Sequence, residues 1–181
     1  MLVLYRKYFK NFLLGDPVDR LKKLGLVVGH NFTMLEDVYI DPSHVWLISI
    51  GDDVTLAPRV QILAHDASTK RYLGKTRIGK VVVGNRVFIG ASSVILPAVT
   101  IGSEVIIGAG SVITKDIPDG VVAAGNPARV ITSLAKFLER KASEMNSSPK
   151  FDHRYTMGGN ITMERKTEMM EKITNRIGYI V

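Results

Sequence analysis

The sequence predicts an all-β solenoid: a parallel β-helix of hexapeptide repeats, with a helical cap before it and a helical extension after it. Three observations carry this. First, a bulky aliphatic returns every sixth residue, at Val83, Ile89, Ile95, Ile101, Ile107 and Ile113. Second, the next residue is glycine at Gly84, Gly90, Gly102 and Gly108, while the fifth positions (Val87, Ser93, Val99, Val105, Ser111, Ile117) are small or aliphatic. Third, the same frame recurs upstream, at Ile50, Leu56 and Ile62 and again at Val28, Met34 and Ile40. The blocks 28–45, 50–67, 83–100 and 101–118 are each three hexads long, and residues 46–49 and 68–82 are insertions.

Strand geometry turns this spacing into a shape. Alternate residues of a strand share a face, so a chain that bends every six residues aims the first and fifth positions of each hexad inward. Three hexads close one triangular coil. Successive coils stack as parallel strands, each rising about 4.8 Å, and bury one aliphatic column that no single coil could bury alone. Glycine beside the aliphatic suits a tight corner where φ must be positive. A β-sandwich needs only two-residue alternation, which does not enforce a six-residue register.

The remaining segments are read from their own patterns. Residues 1–24 open with a basic amphipathic stretch and predict a helical cap. The β-helix domain is expected over 25–131. Residues 132–181 predict a helical extension: Leu134, Phe137, Leu138 and Met145 mark one amphipathic helix, and Thr162 caps a second that carries Met169, Met170 and Ile173. This extension is expected to pack on the β-helix or on a neighbouring subunit.

Composition narrows the function classes. The chain has 181 residues and no cysteine, so disulfides, thiolate nucleophiles and thiolate metal sites are excluded. Its net charge of +7 favours an anionic partner. The basic residues are scattered without interleaved aromatics, which points to a small anion and away from nucleic acid. No run of about 18 apolar residues is present and no signal peptide is evident. A cytoplasmic protein without membrane association is expected.

The four histidines, His30, His44, His65 and His153, lack metal-ligand spacing, so no metal site is expected. His44 falls at an inward fifth position, which reads as a structural exception. His65, in "ILAHDAST", falls at a fourth position, a corner, just before the 68–82 insertion. Long insertions from a rigid solenoid tend to be functional, yet position alone leaves His65 open between a site residue and a solvated surface histidine. Asp66 adjoins it at a fifth position, where the repeat calls for a small or apolar side chain.

The hexad array and the closing "GAGSVITKDIPDGVVAAGNPARVI" at 108–131 resemble the hexapeptide acyltransferases, more narrowly the branch of maltose, galactoside and xenobiotic O-acetyltransferases. The resemblance covers about residues 25–131. It implies a left-handed β-helix, a homotrimer with sites between subunits, and acetyl-CoA as co-substrate. The activity it implies is acetyl transfer to a hydroxyl of a sugar or related small molecule. An amino-sugar N-acetyltransferase and a non-catalytic β-helix scaffold are the alternatives. His65 corresponds to the family's catalytic histidine, a general base. Its tautomer would be set by Asp66 or by a backbone carbonyl. The residues after "IG" that contact CoA fall on Ala91 and Ala109, with Ser92 a weaker candidate. The Thr-Lys pair falls on Thr114 and Lys115, and the basic residue after "GNPA" on Arg129. Phe88 replaces an aromatic residue that lines the cleft, and Asn85 has no assignment. The family's acceptor-binding residues find no match, because "DPSHVWLISIGDD" replaces the galactoside pattern. The three-histidine zinc set of β-helical carbonic anhydrases is also unmatched.

Overall fold

The structure is a computed structural model and describes residues 16–181. The expected cap over 1–24 lies partly outside the described residues. Its described part is the helix Pro17–Lys23, which Asp16 caps by accepting the Val18 N–H.

Short parallel strands build three sheets. The first joins Val27–Val28, Ile48–Ile50, Val81–Val83 and Thr100–Ile101. In register, Val28 lies opposite Ile50, Ile50 opposite Val83, and Val83 opposite Ile101. The second aligns Met34, Leu56, Ile89 and Ile107. The third aligns Ile40, Ile62, Ile95 and Ile113. Hexad starts stack on hexad starts, so both insertions leave the register intact. The result is a parallel β-helix of triangular section.

The core follows the frame. Every hexad start from Val83 to Ile113 and every fifth position from Val87 to Ile117 is buried. Each buried Val or Ile stabilises the column by roughly 1.5–3 kcal/mol. Ser93 and Ser111, the polar inward residues, satisfy their hydroxyls by donating to Gly108 O. In the first coil Phe32, Met34 and Val38 are only partly buried, as expected where no coil lies below.

The corners correct one sequence expectation. Positive φ falls at the fourth position of the hexad, at Asn31, Asp37, Asp53, Arg59, Arg86, Ser92, Ala98 and Glu104, and not at the glycines of the second position. Those glycines serve close stacking. A Cβ on Gly84 would lie 2.7 Å from Gly102 C, and one on Gly90 would lie 2.5 Å from Ala109 N.

The segment Pro42–Leu47 corrects another. It forms a 3-10 helix capped by Asp41. The turn shifts the inward position by one, so the core is filled by fully buried Val45 and not by His44, which is half-buried.

The array closes on an antiparallel hairpin, Val121–Gly125 with Ala128–Ser133, at the edge of the second sheet. The chain divides into two compact units between Leu134 and Ala135. The second holds the helix Leu134–Asn146, the parallel strand pair Lys150–Phe151 and Tyr179–Ile180, and the helix Met163–Lys172. Thr162 caps that last helix through the Arg165 N–H, as its sequence suggests. Among the described residues no helix is long and apolar enough to cross a membrane.

Candidate active site

Most fourth positions turn with positive φ, but at His65 the chain runs on as the strand His65–Asp66. That strand pairs antiparallel with Arg77–Ile78 and carries the insertion away from the coil. The imidazole is therefore aimed off the corner. It remains 31% exposed.

One coil below, on the same corner, stands Asp41. It takes the hexad's second position, and its side chain is fully buried. Its backbone N–H donates to Ile62 O at 2.9 Å, which ties it to the coil above. Its carboxylate accepts the Ser43 N–H at 3.0 Å and the Ala64 N–H at 3.2 Å. It also lies 2.5 Å from His65 Nδ1. Burial by itself pushes the Asp41 carboxyl up. The hydrogen bonds from His65, Ser43 and Ala64 together outweigh that, and the group is held below the usual carboxylate value. An ionised Asp41 makes Nδ1 the protonated nitrogen and leaves Nε2 with its lone pair free. That is the arrangement a general base needs.

Asp66 does not take this part. Its carboxylate accepts the Ser68 N–H at 2.9 Å and lies 3.5 Å from Arg77, so it anchors the start of the hairpin. The Ser68 N–H holds it below the usual carboxylate value. Sequence reasoning missed Asp41. The hexad frame sets Ile40 beside Ile62, and so Asp41 beside Leu63, but does not show that the Asp41 side chain reaches His65.

His44 completes the cluster. Its ring lies 5.2 Å from that of His65 and 5.5 Å from that of Trp46, centroid to centroid. Its Nδ1 is buried without a hydrogen-bond partner. The ligand atoms of Asp41, His44 and His65 lie within 4.8 Å of one another. A tetrahedral zinc shell needs about 3.3 Å between ligands, and the Asp41–His65 hydrogen bond already occupies two of the three.

The cofactor candidates divide between two corners. Ala91 and Ala109 stack on the second corner, joined by the Gly110 N–H to Ala91 O bond of 2.8 Å. Arg129 pairs with Ala124, which packs over Gly108 on that same corner. Ser92 accepts a hydrogen bond from Arg59 Nε at 3.1 Å. Thr114 and Lys115 instead rise from the His65 corner, two coils further along. Thr114, Lys115, Ala109 and Arg129 are exposed. Phe88 is 45% exposed.

Comparison with known proteins agrees with this architecture. A family profile described as bacterial transferase hexapeptide (six repeats) matches residues 80–115. The chain is 42% identical over 140 residues to Protein CapG of Staphylococcus aureus, covering 75% of this chain and 81% of CapG. Among solved structures, a maltose O-acetyltransferase from Clostridium difficile 630 matches with a TM-score of 0.58 and 38% identity, over 70% of this chain and 81% of that one. A galactoside acetyltransferase in complex with coenzyme A matches with a TM-score of 0.55 and 32% identity, over 71% and 78%. With its hexad coils, its corner histidine and these relatives, the chain belongs to the hexapeptide-repeat acetyltransferases, enzymes that use acetyl-CoA as co-substrate and need no metal.

Proposed function

We propose that the protein is an O-acetyltransferase that moves the acetyl group of acetyl-CoA directly to a hydroxyl of a sugar or related small molecule. The observation that carries this reading is the hydrogen bond between His65 Nδ1 and the buried Asp41 carboxylate. It leaves His65 Nε2 as the base. Nε2 takes the acceptor's hydroxyl proton as that oxygen attacks the thioester carbonyl. The carbon–sulfur bond breaks, and the imidazolium returns the proton to the departing CoA sulfur. Asp41 stabilises the imidazolium between the two transfers. No enzyme-bound acyl group is required.

Ala91 and Ala109 flank the pantetheine arm, with Ser92 at the edge. Thr114, Lys115 and Arg129 meet the nucleotide end, where cations suit phosphates. His65 and the alanine pair lie on different corners. A left-handed β-helix assembled as a homotrimer would bring one chain's base to its neighbour's alanines, in a cytoplasmic enzyme with residues 25–131 as the catalytic domain. N-acetylation of an amino sugar would use the same base and co-substrate, so the acceptor atom is decided by assay.

The test is release of the CoA thiol across a panel of sugars and amino sugars. His65→Ala should lower turnover at least ~10²-fold with little change in CoA affinity. Wild-type turnover in that variant would end the base assignment.

A further inference from the structure

The segment "DPSHVWLISIGDD" matches no acceptor-binding pattern, yet the structure sets it against the base. Three rings stand in a row: Trp46, His44 and His65, with successive centroid separations of 5.5 Å and 5.2 Å and interplanar angles of 50° and 44°. His44 is held within the row by ring packing, since its buried Nδ1 has no hydrogen-bond partner. Trp46 is the chain's single tryptophan and is 59% exposed. A large indole left open one ring away from the base, across His44, is the kind of surface that takes a ligand with one apolar face.

We propose that Trp46 and His44 form the acceptor platform, and that the acceptor is a neutral pyranose. This rests on the reading of His65 as the base. The sugar's C–H face lies on the indole and the His44 edge, which presents one ring hydroxyl to His65 Nε2. A pyranose suits the row because it joins an apolar face to a rim of hydroxyls. The one carboxylate on the row, Asp41, is fully buried and already hydrogen-bonded to His65. No charged group on the row is left to select an ionic acceptor. Specificity would then come from ring shape, through a residue that touches the substrate without taking part in proton transfer.

The single tryptophan makes the test direct. The probes are methyl α-glucopyranoside, methyl β-galactopyranoside and maltose, with benzyl alcohol and glycerol as non-sugar hydroxyls. In the wild type, a pyranoside added without acetyl-CoA should change the indole fluorescence. In W46A, KM for the best pyranoside should rise at least ~10-fold, with KM for acetyl-CoA within about twofold of wild type. W46F should lie between the two, and it covers the case in which W46A fails to fold.

An unchanged pyranoside KM in either folded variant would overturn the platform. So would preference for benzyl alcohol, or the absence of both turnover and fluorescence change with every pyranoside. Failure of the underlying reading looks different: it is wild-type turnover in His65→Ala, whatever Trp46 does.

Discussion

Asp41 is a carboxylate in a position where the first corner carries glycine in every coil. The glycine column Gly29, Gly51, Gly84 and Gly102 has no room for a side chain, because the next coil lies directly on it. The corner of Asp41 instead carries Leu63, Leu96 and Thr114 at equivalent positions, so it accommodates a Cβ. The acid is tolerated there because three donors meet it, and it orients His65 in return. Asp41→Asn keeps the shape but removes the charge that holds the tautomer. Its kcat should fall ~10–100-fold with KM for acetyl-CoA little changed, in steady-state thiol release. Asp41→Ala, which strands two backbone N–H groups, should also lower stability by about 1–3 kcal/mol in urea unfolding.

The sign of the pH dependence follows from the lowered folded-state value of Asp41. Its contribution is present above the ordinary value of 3.8 and is lost as pH falls through the lower folded value. The deficit in melting temperature of Asp41→Asn should therefore be full near neutral pH and shrink as pH falls from about 3.8 through the lower folded value. A deficit constant down to the lowest pH would show that Asp41 is not ionised in the folded state. His65 stood out in the sequence because it sits at a corner beside an insertion, but its role as a base came from the family resemblance. Asp41 did not stand out, because its role depends on stacking across 22 residues of chain that include a helical turn.

The hexad elements owe their cohesion to more than the aliphatic column. Along the glycine corner a ladder of side chains caps the exposed N–H groups. Asp52 accepts the His30 N–H at 2.6 Å, Asn85 the Asp52 N–H at 2.8 Å, Ser103 the Asn85 N–H at 3.0 Å, and Asp119 the Ser103 N–H at 2.6 Å. This explains Asn85, which the sequence leaves without a role. Gly84→Ala would push a methyl into Gly102 and Ser103 and should cost about 1–3 kcal/mol of unfolding free energy in a denaturant titration. Gly110 has open space around its Cβ position and differs only in its φ of 71°. Gly110→Ala should cost about 1 kcal/mol. Equal costs would contradict the stacking argument. The six-residue frame was readable because every hexad start but Met34 is Val, Ile or Leu. The glycines were readable as signals but not in their cause, since close stacking and tight turning select the same residue.

At the scale of the whole molecule, the buried cluster of the β-helix, among the described residues, runs from Leu26 to Ala128 within the first unit. A chain ending at Ser133 should keep the β-rich circular dichroism of the full protein, and loss of that signal would make the extension part of the β-helix's own stability. The alanine pair and Arg129 share one corner while His65 and Lys115 share another. If each site is made of two chains, a defect in the base and a defect in the cofactor cleft can be carried by different subunits and still leave a whole site. His65→Ala and Ala109→Trp, each inactive alone, should then rescue one another when co-expressed. Such intersubunit complementation would make this enzyme dominant-tolerant, able to retain function in mixed assemblies where either damaged copy by itself has none.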